Sequence, residues 1–208
     1  MTEAIDAIRT VLLHSPRGEA PRVIMVTSAL GGEGKTTLAT HLAASLARAW
    51  RKTLLIDCDL RNPGAHRQFD LAVEPGMSEA LRGEVEFEDA VRPTLVSRLW
   101  LLPAGKFDSH AVQALAQDGV RNVFERLKEE YDFIVIDTSP VLPVADALLV
   151  AQHADAALFA VLRDVSRIPS VQAAHQRLAA LGVRTLGAVV IGEEPQTYGQ
   201  PVPYPRKA

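Results

Sequence analysis

Six short apolar runs punctuate the chain: residues 22–27 (RVIMVT), 53–57 (TLLID), 99–102 (LWLL), 133–137 (FIVID), 156–162 (AALFAVL) and 185–191 (TLGAVVI). None alternates polar with apolar positions, so each reads as a strand covered on both faces, the habit of parallel sheets. Between most of them apolar residues return at helical spacing. Leu38, Leu42, Leu46 and Trp50 recur every fourth residue and predict one helix with a buried stripe. Further helices are expected near 3–14, 77–82, 110–129, 144–152 and 168–181, the last stopped by Gly182, which suits the left-handed turn that closes a helix. The pattern predicts one α/β domain over 1–192, a mostly parallel sheet with helices on both faces, with 1–20 as an N-terminal helical segment. Residues 193–208 (EEPQTYGQPVPYPRKA) are rich in Pro and polar residues and are expected to form a flexible tail.

Composition narrows the class without changing the architecture. With 208 residues, 48% hydrophobic and 23% charged, the chain can bury a sizeable core without disulfides or metals. A net charge of -3 gives no general attraction to nucleic acid, and none is expected as a partner. Cys58 is the single cysteine and cannot form an internal disulfide, and the opening MTEAIDAIRT lacks the basic-then-apolar order of a secretory signal. A cytoplasmic setting is expected. No apolar stretch reaches the 18 residues of a spanning helix, so membrane association is expected to come through a partner or a further segment.

The chemistry concentrates where strands end. SALGGEGKTT follows the first strand and opens the first amphipathic helix, the place where ligands sit in an open parallel sheet. Gly31, Gly32 and Gly34 let backbone N–H groups converge on anionic oxygens, the helix start adds its positive dipole end, and Lys35 adds a full charge. Thr36 offers a hydroxyl to Mg²⁺. The pattern is G-x-x-x-x-G-K-[ST] with Ala29 at the first glycine. Two further strand ends carry acids: Asp57 and Asp59 in TLLIDCDLRNP, and Asp137 in FIVIDTSP. Three carboxylates near one phosphate site repel and desolvate one another unless a cation or a proton-accepting role requires them. The six histidines have no paired metal spacing, and Ser139 lacks the G-x-S-x-G elbow of a hydrolase.

In this order, SALGGEGKTT, LLIDCDLRNP and FIVIDTSP resemble the Walker A, Walker A′ and Walker B motifs of the bacterial tyrosine kinases, the BY-kinases associated with capsule and exopolysaccharide assembly. The resemblance extends to GMSEALRG at 76–83, LLPAG at 101–105, DALLVAQHAD at 146–155 and TLGAVV at 185–190, nearly the whole chain. It implies a P-loop NTPase-like fold and a Mg-ATP-dependent protein-tyrosine autokinase that regulates polysaccharide polymerisation or export. The cytoplasmic face of a membrane, a transmembrane co-polymerase or activator (fused or separate) and self-association are implied with it. By the same resemblance Gly31, Gly32, Glu33, Gly34, Lys35, Thr36 and Thr37 hold ATP, with Lys35 on the β and γ phosphates. Thr36, Asp59 and Asp137 hold Mg²⁺, Asp57 is the base for the attacking phenol, and Tyr198 and Tyr204 are the acceptors. Arg61 is open between a phosphate or subunit contact and an ordinary surface cation.

Related deviant-Walker ATPases carry a signature lysine where this chain has Leu30. A switch that acts by nucleotide-controlled association without tyrosine transfer is the alternative, and an ATP-binding scaffold is a third. The chain departs from the kinase pattern at the E-x-x-R-x-x-R assembly helix, where Glu3, Asp6 and Arg9 stand, so a monomer or small oligomer is expected. It also has Ile191 and Gly192 where many members place an adenine-contacting asparagine.

Overall fold

A computed structural model describes residues 2–14 and 20–192; Tyr198, Tyr204 and the whole 193–208 tail lie outside the described residues. All six apolar runs become strands of one sheet: β1 (Val23–Thr27), β2 (Thr53–Cys58), then, after a two-residue β3 (Arg92–Pro93), β4 (Leu99–Leu102), β5 (Phe133–Thr138), β6 (Ala156–Leu162) and β7 (Thr185–Ile191). Their spatial order is β3-β4-β2-β5-β1-β6-β7. Every pairing is parallel except the antiparallel β3–β4 edge. The helices are α1 (Thr2–His14), α2 (Lys35–Arg48), α3 (Ala65–Gln68), α4 (Met77–Leu81), α5 (Phe87–Ala90), α6 (Ser109–Ala114), α7 (Asp118–Glu130), α8 (Asp146–Ala151) and α9 (Ile168–Ala180).

Because successive strand residues face opposite sides, the unbroken apolar runs feed two layers at once. Leu54, Ile56, Ile134 and Ile136 pack with Phe124 and Leu127, whereas Leu55 and Val135 pack with Leu38, Leu42 and Leu46 of α2. β1, β2 and β5 are buried throughout. β7 departs from the expectation of full burial. As the last strand of the sheet it has a neighbour on one side only and is mostly half-exposed.

Two helical expectations are also corrected. The span 110–129 forms two helices, because the five-residue step from Leu115 to Val120 breaks the three-or-four spacing. A turn between them lets Ala111 and Leu115 of one segment and Val120, Phe124 and Leu127 of the other reach the same core. The buried stripe of α2 stops at Leu46, and Trp50 is 76% exposed. Trp50 lies in the closing turn of α2 with φ 63°, its N–H donating to Ala47 O (3.0 Å) while Arg51 N–H donates to Leu46 O (3.3 Å). At the end of α9 the same pair of bonds runs from Gly182 to Ala179 and from Val183 to Leu178, with Gly182 at φ 77°. Glycine takes that conformation freely; for tryptophan it costs about 1–2 kcal/mol.

Candidate active site

β1 delivers the chain into the loop 28–34, and α2 starts at Lys35. Gly32 and Gly34 have φ of 79° and 87°, a region that L side chains rarely enter. Gly34 is constrained twice, since a Cβ there would stand 2.7 Å from Ile191 Cδ1 at the end of β7. Gly31 has neither constraint. Ala29 replaces the first glycine of the pattern at no conformational cost: its φ is not positive, and it is buried beside Val141. No side chain caps α2, so the orphan N–H groups of its first turn are left to an anion.

Glu33 is buried, and its carboxylate turns into the protein. One oxygen accepts from Leu30 N–H (2.8 Å) and the other from Ser166 Oγ (2.5 Å), whose hydroxyl also accepts from Leu162 N–H (2.9 Å). What Glu33 lends to the site is loop shape, tying the glycine loop to the turn after β6.

A polar cavity of about 290 Å³ opens over this loop. Gly32, Gly34, Lys35, Thr36 and Thr37 line one wall, and Asp59, Asn62, Gly64, Arg67 and Gln68 line the other. Asn62, Gly64, Arg67 and Gln68 are additions that the sequence reading missed. They follow LLIDCD directly, but only the tertiary turn of the chain after β2 brings them over Thr36. Gly64 permits that approach, because a Cβ on it would lie 3.1 Å from Thr36 Cγ2. Another cleft of about 310 Å³ lies between α4–α5 and α6–α7, with Glu86 and Arg126 as its charged lining residues. It lacks the glycine loop and the lysine that a polyphosphate requires.

The three aspartates take different positions. Asp59 faces Lys35, with Oδ2 3.7 Å from Nζ and both side chains nearly buried. Burial raises the Asp59 carboxyl above its ordinary range, and Lys35 pulls it back. Asp57 and Asp137 lie side by side in register on β2 and β5, both fully buried. Asp57 accepts from the N–H groups of Asp59 (3.2 Å), Gly64 (3.0 Å) and Ala65 (2.9 Å), fixing the turn that closes the cavity. Burial pushes its carboxyl up to about 6, against the pull of those three N–H groups. Neither oxygen of Asp137 has a partner at hydrogen-bonding geometry, although the Thr36 hydroxyl is near enough to act on it. Burial first, and the charge of Asp57 next, raise it well above the carboxylate range, with Thr36 and Lys35 acting in the other direction.

A buried carboxylate with two orphaned oxygens beside a threonine hydroxyl and a phosphate-shaped cavity suits a hard cation. Among the described residues no group of three or more His, Cys, Asp or Glu could hold a metal alone. Mg²⁺ is a cation that keeps waters and phosphate oxygens and takes only one or two protein ligands. Arg61 is committed within the protein. Its guanidinium grips Asp146 with two bonds (2.6 and 3.2 Å), joining the turn after β2 to the start of α8, and lies 5.6 Å from the Phe107 ring centre.

Comparison with known proteins bears on this geometry. A family model described as an AAA domain matches residues 21–162. The chain is 34% identical over 202 residues to the tyrosine-protein kinase CpsD of Streptococcus agalactiae, covering 95% of this chain and 86% of that one. The VpsO kinase domain superposes with a TM-score of 0.85 at 34% identity, covering 93% and 94% of the two chains. The septum site-determining protein MinD of Pyrococcus horikoshii, in a complex with Mg-ADP, superposes at 0.71 with 27% identity over 81% of this chain and 69% of that one. Of some longer curated tyrosine-protein kinases the chain spans only about a quarter, 26% of their length.

Proposed function

The chain belongs to the bacterial tyrosine-protein kinases within the P-loop ATPases, and from that premise we propose that it transfers the γ-phosphate of Mg-ATP to tyrosines of its own C-terminal tail. The observation that carries this is the polar cavity between the glycine loop and Asp59, with the carboxyl end of β7 meeting Gly34. The route into the 193–208 tail therefore begins beside the phosphates.

Each residue has a physical role in this reading. The uncapped start of α2 and Lys35 bind the phosphates, and Lys35 also neutralises Asp59. Thr36 and Asp137 hold Mg²⁺, with Asp59 supporting that arrangement. When bound, the ion neutralises charge on the phosphate oxygens, the main requirement of phosphoryl transfer. Asp57, with its carboxyl near 6, is mostly ionised at neutral pH and is the base for the phenol proton. Its hydrogen bonds to Gly64 and Ala65 keep it turned toward the chain that closes the cavity.

The capsule or exopolysaccharide setting, and a membrane-spanning activator either fused or separate, form part of the same proposal. About three-quarters of the length of two longer relatives lies outside the part this chain matches, which supports an additional unit. Among the described residues no helix is long and apolar enough to cross a membrane. Incubating the full chain with Mg-ATP and probing for phosphotyrosine tests the reading. Phosphotyrosine on wild type and none on Lys35→Met is the expected result. Steady phosphate release without phosphotyrosine would replace it with an association switch driven by ATP hydrolysis.

A further inference from the structure

We propose that the end of the domain opposite the active site docks on an anionic lipid bilayer, through Trp50 and Leu95 as apolar anchors and Arg48, Arg51 and Arg98 as headgroup contacts. β2 and β4 run parallel, with Thr53 paired to Leu99. The segments that precede them, 48–52 and 94–98, therefore meet at the amino ends of the strands. The phosphate cavity lies at the carboxyl ends, so docking here leaves it facing away from the membrane.

The two segments form one surface. The Arg98 guanidinium lies 5.1 Å from the Trp50 ring centre, and Arg98 O accepts from Thr53 N–H (2.9 Å). Thr94 N–H donating to Leu99 O (3.1 Å) closes a tight turn that carries Leu95 at its tip, 99% exposed. Both Trp50 and Arg98 have left-handed backbones, φ 63° and 65°, where glycine would be the relaxed choice. The fold thus accepts strain at two bulky residues and exposes an indole and a leucine together, an arrangement that core packing does not explain.

The charges point to the occupant. Arg48, Arg51 and Arg98 are exposed and make no ion pair among the described residues. Of the acids at this end, Glu130 pairs with Lys52 (2.8 Å), Asp132 accepts from Lys52 N–H (2.7 Å), and Asp155 pairs with Lys128 (3.6 Å) and accepts from the N–H groups of Arg22 and Val23, while Glu129 is exposed with no ion pair among the described residues. Among the described residues these three arginines carry positive charge at this end without an ion-pair partner, on a chain whose overall charge is -3, which orients this end toward a negative surface. The anchors protrude and border none of the clefts described above, a shape suited to a medium that moulds around them. Tryptophan at the interface and arginine among headgroups are the residues that bilayers favour there.

The test uses the full chain with phosphatidylcholine vesicles containing phosphatidylglycerol, and with pure phosphatidylcholine vesicles, read by co-sedimentation. Binding to the anionic vesicles only, weakened by salt, is expected. Each Arg→Gln change at 48, 51 or 98 should weaken it about five-fold, and Trp50→Ala with Leu95→Ser should abolish it, all with ATP affinity unchanged. In a Trp100→Phe background, which leaves Trp50 as the one indole, emission should shift to the blue on binding. The proposal is overturned by wild type failing to sediment, as it would if an acidic protein covers this end. Binding that survives the triple Arg→Gln change, or an unshifted Trp50 emission in the bound state, overturns it equally.

Discussion

The most costly residues in this molecule are the acids at its centre. Asp57 and Asp137 hold protons in the folded protein at pH values where the unfolded chain has released them. The folded state therefore binds more protons, and stability without nucleotide falls as pH rises from about 4 through the Asp57 value near 6 and beyond. Asp137→Asn removes the less tolerable of the two charges. It should raise stability at pH 8 by roughly 1–3 kcal/mol, flatten the pH dependence measured by urea unfolding, and abolish Mg²⁺-dependent transfer. A variant less stable than wild type at pH 8 would contradict the idea that Asp137 waits for a cation. Lys35→Met should weaken ATP binding by roughly 10- to 150-fold, the equivalent of one charge-assisted contact, and calorimetry showing unchanged affinity would remove Lys35 from the cradle. The gathering of Lys35 and the three acids at the carboxyl ends of adjacent strands could be read from their positions after apolar runs. The role of Arg61 could not, since its partner Asp146 is 85 residues away and nothing local indicates the pairing. Glu33 was legible as part of the loop but not as a tie to Ser166.

At the scale of elements, apolar runs marked the strands because burial on both faces removes polar alternation. The same logic could not see that β7 would be an edge, which depends on strand order. β3 and α3 were too short to show periodicity, and α3 matters most because Arg67 and Gln68 bring it into the cavity. The closing turns of α2 and α9 form a natural comparison, with the same bonds around a tryptophan in one and a glycine in the other. Trp50→Gly should stabilise the domain by about 1 kcal/mol, and Gly182→Ala should destabilise it by a similar amount. Thermal unfolding in which Trp50→Gly is the less stable protein would show that the indole makes a contribution this geometry does not include. The tie between the glycine loop and the turn after β6 is tested by Ser166→Ala. Loss of one hydrogen bond to a buried carboxylate should raise KM for ATP about 3- to 10-fold with little change in kcat; a selective loss of kcat would indicate a role in transfer itself.

At the scale of the whole molecule, two features decide how copies of the chain meet. On α1, Arg9 reaches back to Asp6 (2.8 Å) and to Ser45 of α2 (2.7 Å), so the cation at the assembly helix is satisfied within one chain. The isolated domain should scatter light as a monomer or small oligomer, and a stable large ring would refute that. The parallel course of β7 was legible from its unalternating apolar run, and it carries the chain out at Ile191 beside Gly34. From there to Tyr204 an extended chain spans at most roughly 45 Å, enough to serve a neighbouring copy, whereas Tyr198 has about half that reach. The most direct measurement mixes Lys35→Met protein with active wild type in Mg-ATP and maps phosphotyrosine on the inactive partner by mass spectrometry. Label on the tail of the Lys35→Met chain, with Tyr204 ahead of Tyr198, is the predicted result. An unlabelled partner, or label confined to the buried Tyr131, would show that this tail is not the acceptor.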